Sequence, residues 1–383
     1  MMIQSKHLPG EHRGPSIQRR WQKAPVNVSP WQPPSFPVRR IAIFRALYLG
    51  DLLLAIPALR AIRAGFPEAE ITLIGLSWAA SFAWRFHHYI DRFVEFAGYP
   101  GIREVAFVPE QAIRFLLEQR AYGYDLVIQM HGSGRTSDAL AIALGGRVTV
   151  GYYEGEQPAG LTLGLPYPDN WPEVFRNLGL AYLLGCPNGY PELEFPLLSE
   201  DRLEAAVLLR GLSRADRPWV GIHTGARAPA RRWPAEYFAA VADALARRFD
   251  AQIILTGSKD EITTVQEVEA RMTARALNVA GQTSLGGLAA LISKLDLFIT
   301  NDTGPSHIAS AVDTPSITLF GPVDPRRWAS RDRARHPILR LPVSCSPCPY
   351  RECPIDHRCL RWITPDMVLA QAEDMLLKGT VNC

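Results

Sequence analysis

The chain has 383 residues, of which 47% are hydrophobic and 21% charged, and a formal net charge of +3. This is the composition of an ordinary globular protein with room for two or three domains of about 150 residues each. So small a net charge gives no reason to expect a nucleic-acid partner. No apolar stretch reaches the ~20 residues that cross a bilayer, because the best candidate, 41–59, holds Arg45, Asp51 and Pro57.

Residues 1–38 contain seven Pro and several basic side chains, with little periodicity and no apolar central segment of a signal peptide. They read as a flexible Pro-rich basic extension, and the chain as cytoplasmic. From 39 onward short β-rich runs alternate with helical stretches, the pattern of α/β layers with parallel sheets. Strands are expected at 40–44, 70–75, 125–130 and 147–151, and helices at 57–65, 110–121 and 136–144. Pro57 opens the main first helix after a break, since its missing N–H is unneeded there. This makes 39–195 one Rossmann-like domain. The Pro-rich stretch that follows carries a linker, 196–217, with a helix near 200–211.

The layout then restarts. Strands are expected at 219–223, 252–256, 277–279, 296–300 and 316–320, with helices at 235–248, 260–273, 285–294 and 305–312. That second Rossmann-like domain covers 218–343. A Cys-rich loop, 344–361, and a C-terminal helix and tail, 362–383, complete the chain. Gly132-Ser-Gly-Arg-Thr-Ser137 is half of a dinucleotide fingerprint, without its third Gly or the following acid. No long internal repeat is visible. Ligands should lie at the carboxyl ends of the strands, facing a cleft between the two domains.

Several places could carry chemistry. Asn301-Asp-Thr-Gly304 ends an apolar run, and Pro305 follows where a helix would begin. Asp302 or Thr303 can cap that helix, and the turn aims backbone N–H groups and a positive helix end at one spot suited to a phosphate. His307 projects from the first turn near it. Gly50 lets the backbone approach a ligand, and Asp51 beside it is either a helix cap or a reactive carboxylate. The loop with Thr224 and Gly225 leads to Arg231 and Arg232, which are either surface charge or cations beside a glycine loop. Glu261 is a first-turn acid at its helix dipole. Nine Arg lie between 326 and 361, against Asp332, Glu352 and Asp356. They form a solvated surface or a patch for phosphates of a lipid headgroup or a donor. Cys345, Cys348, Cys353 and Cys359, spaced C-x2-C-x4-C-x5-C, suit a structural zinc or iron, or four reduced thiols packed in a loop.

DTGPSHIASA with the following PSITLFGPVDP resembles the donor-site signature of glycosyltransferase family 9, the heptosyltransferases of lipopolysaccharide core assembly. The segments 41–67, 124–152 and 219–245 are similar to other blocks of that family, so the resemblance spans about 39–365. It implies the GT-B fold: two Rossmann-like domains with parallel sheets facing across a central cleft. It also implies an inverting, metal-independent transfer of heptose from ADP-heptose to a lipid-linked saccharide, at the cytoplasmic face of the inner membrane and in peripheral contact with it. No catalytic cofactor is expected. By this resemblance Asp51 is the general base and Arg231 contacts the donor phosphates beside Arg232. Glu261 holds the ribose, Asp302 contacts the sugar, and Gly50, Thr224, Gly225, Thr303, Gly304 and His307 complete the donor site. A branch of the family that glycosylates autotransporter proteins uses a four-Cys metal finger. Rival readings are the same fold with another nucleotide sugar or a protein acceptor, a sugar-nucleotide epimerase, and a non-catalytic binding protein.

Overall fold

The computed structural model describes residues 36–186, 190–213 and 217–381. The extension expected over 1–38 lies almost wholly outside them. RIAIF at 40–44 is apolar after Arg40, and every residue after Arg40 is buried. Such a run suits a strand covered on both faces by helices. The strands β1 (Arg40–Phe44), β2 (Glu70–Gly75), β3 (Arg92–Glu95), β4 (Leu126–Gln129), β5 (Val148–Tyr153) and β6 (Leu163–Pro166) form one six-stranded sheet in the order β3-β2-β1-β4-β5-β6. A second is built from β7 (Trp219–His223), β8 (Gln252–Thr256), β9 (Ala276–Asn278), β10 (Leu297–Asn301), β11 (Ser316–Leu319) and β12 (Ile338–Leu339), in the order β12-β11-β10-β7-β8-β9. All pairings in both sheets are parallel. Read from its other edge, the second order repeats the first. The two halves therefore share a topology that no sequence repeat announces, as the GT-B expectation requires.

The first sheet is dressed by α1 (Leu49–Leu53), α2 (Ile56–Gly65), α3 (Ala79–Arg85), α4 (Pro109–Tyr122), α5 (Ser137–Ala143) and α6 (Glu173–Leu183). The helix α7 (Ser199–Leu209) joins the halves. The second carries α8 (Ala235–Phe249), α9 (Ile262–Glu269), α10 (Leu285–Ile292), α11 (Gly304–Ala311), α12 (Pro325–Trp328), α13 (Arg358–Arg361) and α14 (Pro365–Val381). Most expected elements appear within a few residues of their places. Gly50 and Asp51, expected in a loop, instead lie inside α1, a helix too short to show a periodicity. The elements α3, β3, β6, β12, α6, α12 and α13 were not anticipated either. β3 and β6 are four-residue edge strands, each half-exposed, whose patterns are too brief to tell strand from loop.

The halves meet along an apolar seam. One continuous cluster runs from Leu52 and Leu53 of α1 to Ile308 and Ala309 of α11 and to Ala289, Ala290, Leu291 and Ile292 of α10. The linker helix α7 is tied to the second half, where the Glu204 carboxylate accepts both the N–H and the hydroxyl of Ser284 at 2.6 Å. The helix α14 packs on α8, and the Trp233 indole donates to the Ile363 carbonyl at 2.9 Å. In each sheet the strand order reverses between the first and fourth strands of its half, and crevices open there at the carboxyl ends. The segments after β1, β7 and β10 are α1, the 224–228 loop and α11, and all three converge on the cleft. No helix among the described residues is long and apolar enough to cross a membrane.

Candidate functional site

A cleft of about 520 Å³ opens between the halves. Tyr48, Gly50 and Asp51 line it from the first domain. Arg227, Arg231, Asp302, Thr303, Gly304 and His307 line it from the second. Arg227 reaches across, its guanidinium carbon 3.2 Å from the centre of the Tyr48 ring. Such a cation–π contact between domains is worth ~0.5–2 kcal/mol, more when dry.

Asp51 occupies the third position of α1, and its carboxylate reaches back to accept the Tyr48 N–H at 3.3 Å. The capping role and the reactive role thus fall on one side chain. Burial raises its pKa, Arg45 and Arg327 pull it down, and Glu173 adds to the rise. A carboxylate so placed is a better proton acceptor than one in water.

Opposite it, Asp302 follows β10 and is buried. Its Oδ2 takes no hydrogen bond among the described residues, and the Arg231 guanidinium stands 3.5 Å away. Burial pushes Asp302 up to about 6 against the pull of Arg231, and Asp51 contributes to the rise. Thr303 is extended and opens α11, but neither its side chain nor that of Asp302 caps the helix, contrary to expectation. Its carbonyl instead accepts the Ser306 N–H and hydroxyl. The backbone of Thr303 and Gly304 lines the cleft, with the Leu49 side chain packed against Gly304. His307 is buried beneath, and burial lowers its pKa to about 4. The imidazole is neutral at physiological pH and adds no positive charge for a phosphate. Its nearness to the turn is as expected.

Four residues expected at the donor, Arg232, Glu261, Gly225 and Thr224, also make contacts within the protein. Arg232 donates from Nε to the Ala226 carbonyl at 2.8 Å and so braces the glycine loop. Glu261 accepts the Ser258 N–H at 2.8 Å, and its Oε2 stands 3.6 Å from the His223 ring. Its carboxylate lies against Gly225, where a Cβ would meet it at 2.1 Å unless the Glu261 side chain moved. Burial raises the Glu261 pKa, but His223, the Ser258 bonds and Arg232 outweigh it and hold the group low. Thr224 is buried with an unpartnered Oγ1, and its carbonyl accepts Asn301 Nδ2 at 2.9 Å. Asn301 also accepts the Trp233 N–H at 3.0 Å and donates to the Gly225 carbonyl. It pins both loops of the second domain, and only its place at the end of an apolar run could have signalled that.

The Cys-rich loop lies at the cleft, where Cys348, Pro349, Tyr350 and Arg351 form part of its wall. The Arg351 carbonyl accepts the Ala230 N–H at 3.0 Å, and the His357 ring donates to the Ala230 carbonyl at 2.7 Å. Both bonds hold the residue before Arg231. Burial raises the Cys359 thiol to about 11, and Cys353, Cys345 and Cys348 add to the rise, so the four sulfurs share one neighbourhood. Among the described residues, however, no group of three or more His, Cys, Asp or Glu side chains is placed to hold a metal ion. Cys345 is exposed and Cys359 buried, and the expected zinc or iron is not supported by this placement. Several Arg of 326–361 are also engaged within the chain: Arg326, Arg335 and Arg358 pair with Asp324, Asp313 and Asp356.

The model of glycosyltransferase family 9 (heptosyltransferase) matches residues 113–358. A lipooligosaccharide heptosyltransferase 2 of Campylobacter jejuni is 28% identical over 161 residues, 41% of this chain and 50% of that one. The chain thus spans about half the length of this relative. A lipopolysaccharide heptosyltransferase 2 of Escherichia coli K12 is 26% identical over 300 residues, 75% of this chain and 84% of that one. Among solved structures, the family 9 glycosyl transferase of Veillonella parvula superposes with a TM-score of 0.74 at 23% identity, over 91% of this chain and 100% of that one. That likeness shows the fold.

Proposed function

The chain belongs to glycosyltransferase family 9, and from that premise we propose that it transfers a heptose from ADP-heptose to a lipid-linked core saccharide, with inversion at the anomeric carbon. The observation that carries the reading is that Asp51, from one domain, and the Arg231–Asp302 pair, from the other, line a single cleft. A direct displacement needs a base on one side of the anomeric carbon and a stabilised leaving group on the other.

In this reading Asp51 takes the proton of the attacking hydroxyl. The donor diphosphate lies against the backbone of Thr303 and Gly304 at the positive end of α11, with Arg231 beside it. These groups stabilise the charge that grows on the departing ADP. They are protein groups already in place, so no catalytic metal is required by the reaction. Asp302 Oδ2, which faces Arg231 at 3.5 Å but takes no hydrogen bond among the described residues, suits a sugar hydroxyl. Thr224, Gly225 and Arg232 shape the loop under the nucleotide. Glu261, next to that loop, is assigned to the ribose. The acceptor enters from the first domain, at the cytoplasmic face of the inner membrane.

The test is a panel of nucleotide sugars scored by thermal shift, followed by transfer to a deacylated core acceptor. A ligand at a hundredfold excess over its Kd stabilises by about 2.7 kcal/mol. ADP-heptose should give the largest shift, and the product linkage should be inverted by NMR. Retention of configuration, or transfer only from another nucleotide sugar, would overturn the corresponding part.

A further inference from the structure

Arg45 directly follows the buried strand β1 and is 1% exposed. A guanidinium there needs partners for its donors, because an unpaired buried charge costs several kcal/mol. It finds four. Nε donates to the Asp51 carbonyl at 2.9 Å. One terminal nitrogen donates to the Met130 carbonyl and, at 3.0 Å, to Asn177 Oδ1. The other meets Glu173 Oε1 at 3.3 Å. Asn177 in turn donates to the Leu54 carbonyl at 2.9 Å, at the far end of α1. The middle of the helix bearing Asp51 and its C-terminal cap are therefore fastened to α6 through Arg45 and Asn177.

The second oxygen of Glu173 faces outward. It accepts Arg176 at 3.3 Å from its own helix and Arg327 Nε at 3.0 Å from α12 of the other domain. Arg327 also donates to the Tyr167 hydroxyl at 3.0 Å. Burial raises the Glu173 pKa, but the three guanidiniums outweigh it, and the group stays ionised. Arg327 is therefore the link in this network that comes from across the cleft, and its neighbour Trp328 lines the cleft.

We infer that Arg45 is the positioning residue for Asp51, and that Glu173 and Arg327 make this positioning conditional on the two domains being together. The carboxylate of Glu173 is shared between the group that holds the catalytic helix and the group that marks closure. If the domains part, Arg327 leaves, Glu173 is held by Arg45 and Arg176 alone, and the tension on Arg45 changes. The base is thus set when the second domain, with its donor, is in place. This limits proton abstraction from an acceptor in an open cleft. The inference rests on Asp51 being the base.

Arg45→Lys tests the fork but could fail to fold, so the deciding variant is Arg327→Gln, at a side chain one-third exposed. Amide hydrogen exchange needs no substrate. The peptide covering 49–54 should exchange at least fivefold faster in Arg327→Gln, with the 235–249 helix unchanged. Arg335→Gln, which breaks a surface pair instead, should leave both unchanged. In turnover with ADP-heptose and a deacylated core acceptor, Arg327→Gln should lower kcat about tenfold with donor KM within twofold. In an Asp51→Asn background it should cost nothing further. Unchanged exchange over 49–54, or a full additive loss in that background, would overturn the inference and leave the base assignment standing. Near-normal turnover of Asp51→Asn would overturn the base assignment, and this inference with it.

Discussion

The imidazole of His307 rests on Gly50 so closely that a β-carbon there would stand 2.8 Å from its Cδ2 and 3.2 Å from Nε2. The same approach recurs one step along, where a β-carbon on Gly304 would meet Leu49 at 3.0 Å. Two glycines, one from each domain, thus let α1 and α11 bring their first turns face to face. A neutral histidine is suited to this place, since a buried charge beside α1 would need a partner.

Gly50→Ala should therefore destabilise. In an unconstrained helix the change gains ~0.5–1 kcal/mol, but overpacking here costs ~1–3 kcal/mol, and a net loss of about 1–2 kcal/mol is expected. Adding His307→Ala removes the obstructing ring, so the double variant should be more stable than the sum of the two single changes. Calorimetric melting of the four proteins checks this. Additive losses would mean that the two residues do not meet.

Asp51→Asn keeps an acceptor for the Tyr48 N–H, so α1 and donor binding should survive. Loss of the base should lower kcat by roughly 10²–10⁴. Steady-state turnover together with ADP-heptose titration measures the two quantities separately. Near-normal kcat would remove Asp51 from the role.

Asp302 gives a pH-dependent stability of definite sign. Burial holds its folded pKa at about 6, well above the ordinary carboxylate value of 3.8. The protonated form is favoured by folding, so its contribution is fully present below about pH 4 and is lost as pH rises through 6. Asp302→Asn should match wild-type stability near pH 4 and exceed it at pH 7 by up to roughly 2–3 kcal/mol, while activity falls. His307, lowered to about 4, acts in the opposite sense but is common to both proteins and cancels. Melting temperatures from pH 4 to 8 decide it. A gap that does not widen with pH would contradict the burial argument.

Arg231 and Arg232 are adjacent, yet the structure separates them. Arg231 stands at the cleft against Asp302, and Arg232 braces Ala226. Arg231→Ala should lower kcat more than it weakens donor binding, because the charge it meets grows as the bond breaks. Arg231→Lys should recover much of the loss. Arg232→Ala should act mainly through stability and donor Kd. If Arg232 alone governs kcat, the assignment is displaced by one residue.

The strands that carry the site were legible because β1, β7 and β10 are apolar runs ended by glycine or polar turns, and their order follows from parallel α/β rules. Asp51, Arg231 and Asp302 could be flagged from the motifs around them. The Arg45–Glu173–Arg327 network could not, since its members lie 128 and 154 residues apart and no local period links them. Arg45 did interrupt an apolar run, but in the sequence that served only to argue against a membrane span. His307 looked like a polar helper in a turn, and only packing against Gly50 shows why it is neutral. Glu261 shows how a helix acid and a ligand contact share one signature, because its cap to Ser258 is as real as any ribose contact.

The Cys-rich loop offers the last test. The sequence suggested a structural metal site or packed thiols, but Cys348 lines the cleft, and its N–H is fixed to the Pro322 carbonyl at 2.9 Å. A maleimide added to that sulfur would project into space the donor needs. Treatment with N-ethylmaleimide should therefore abolish turnover, and saturating ADP should protect. Cys348→Ser should be resistant to the reagent with its basal rate within a few-fold. Cys345 is exposed and should label faster, yet Cys345→Ser should remain as sensitive as the parent protein, since its sulfur is not part of the cleft wall. Mass spectrometry of partly labelled protein correlates each adduct with lost activity. Full activity with Cys348 modified would place the loop outside the donor path, and its two bonds to Ala230 would then be its whole contribution to the site.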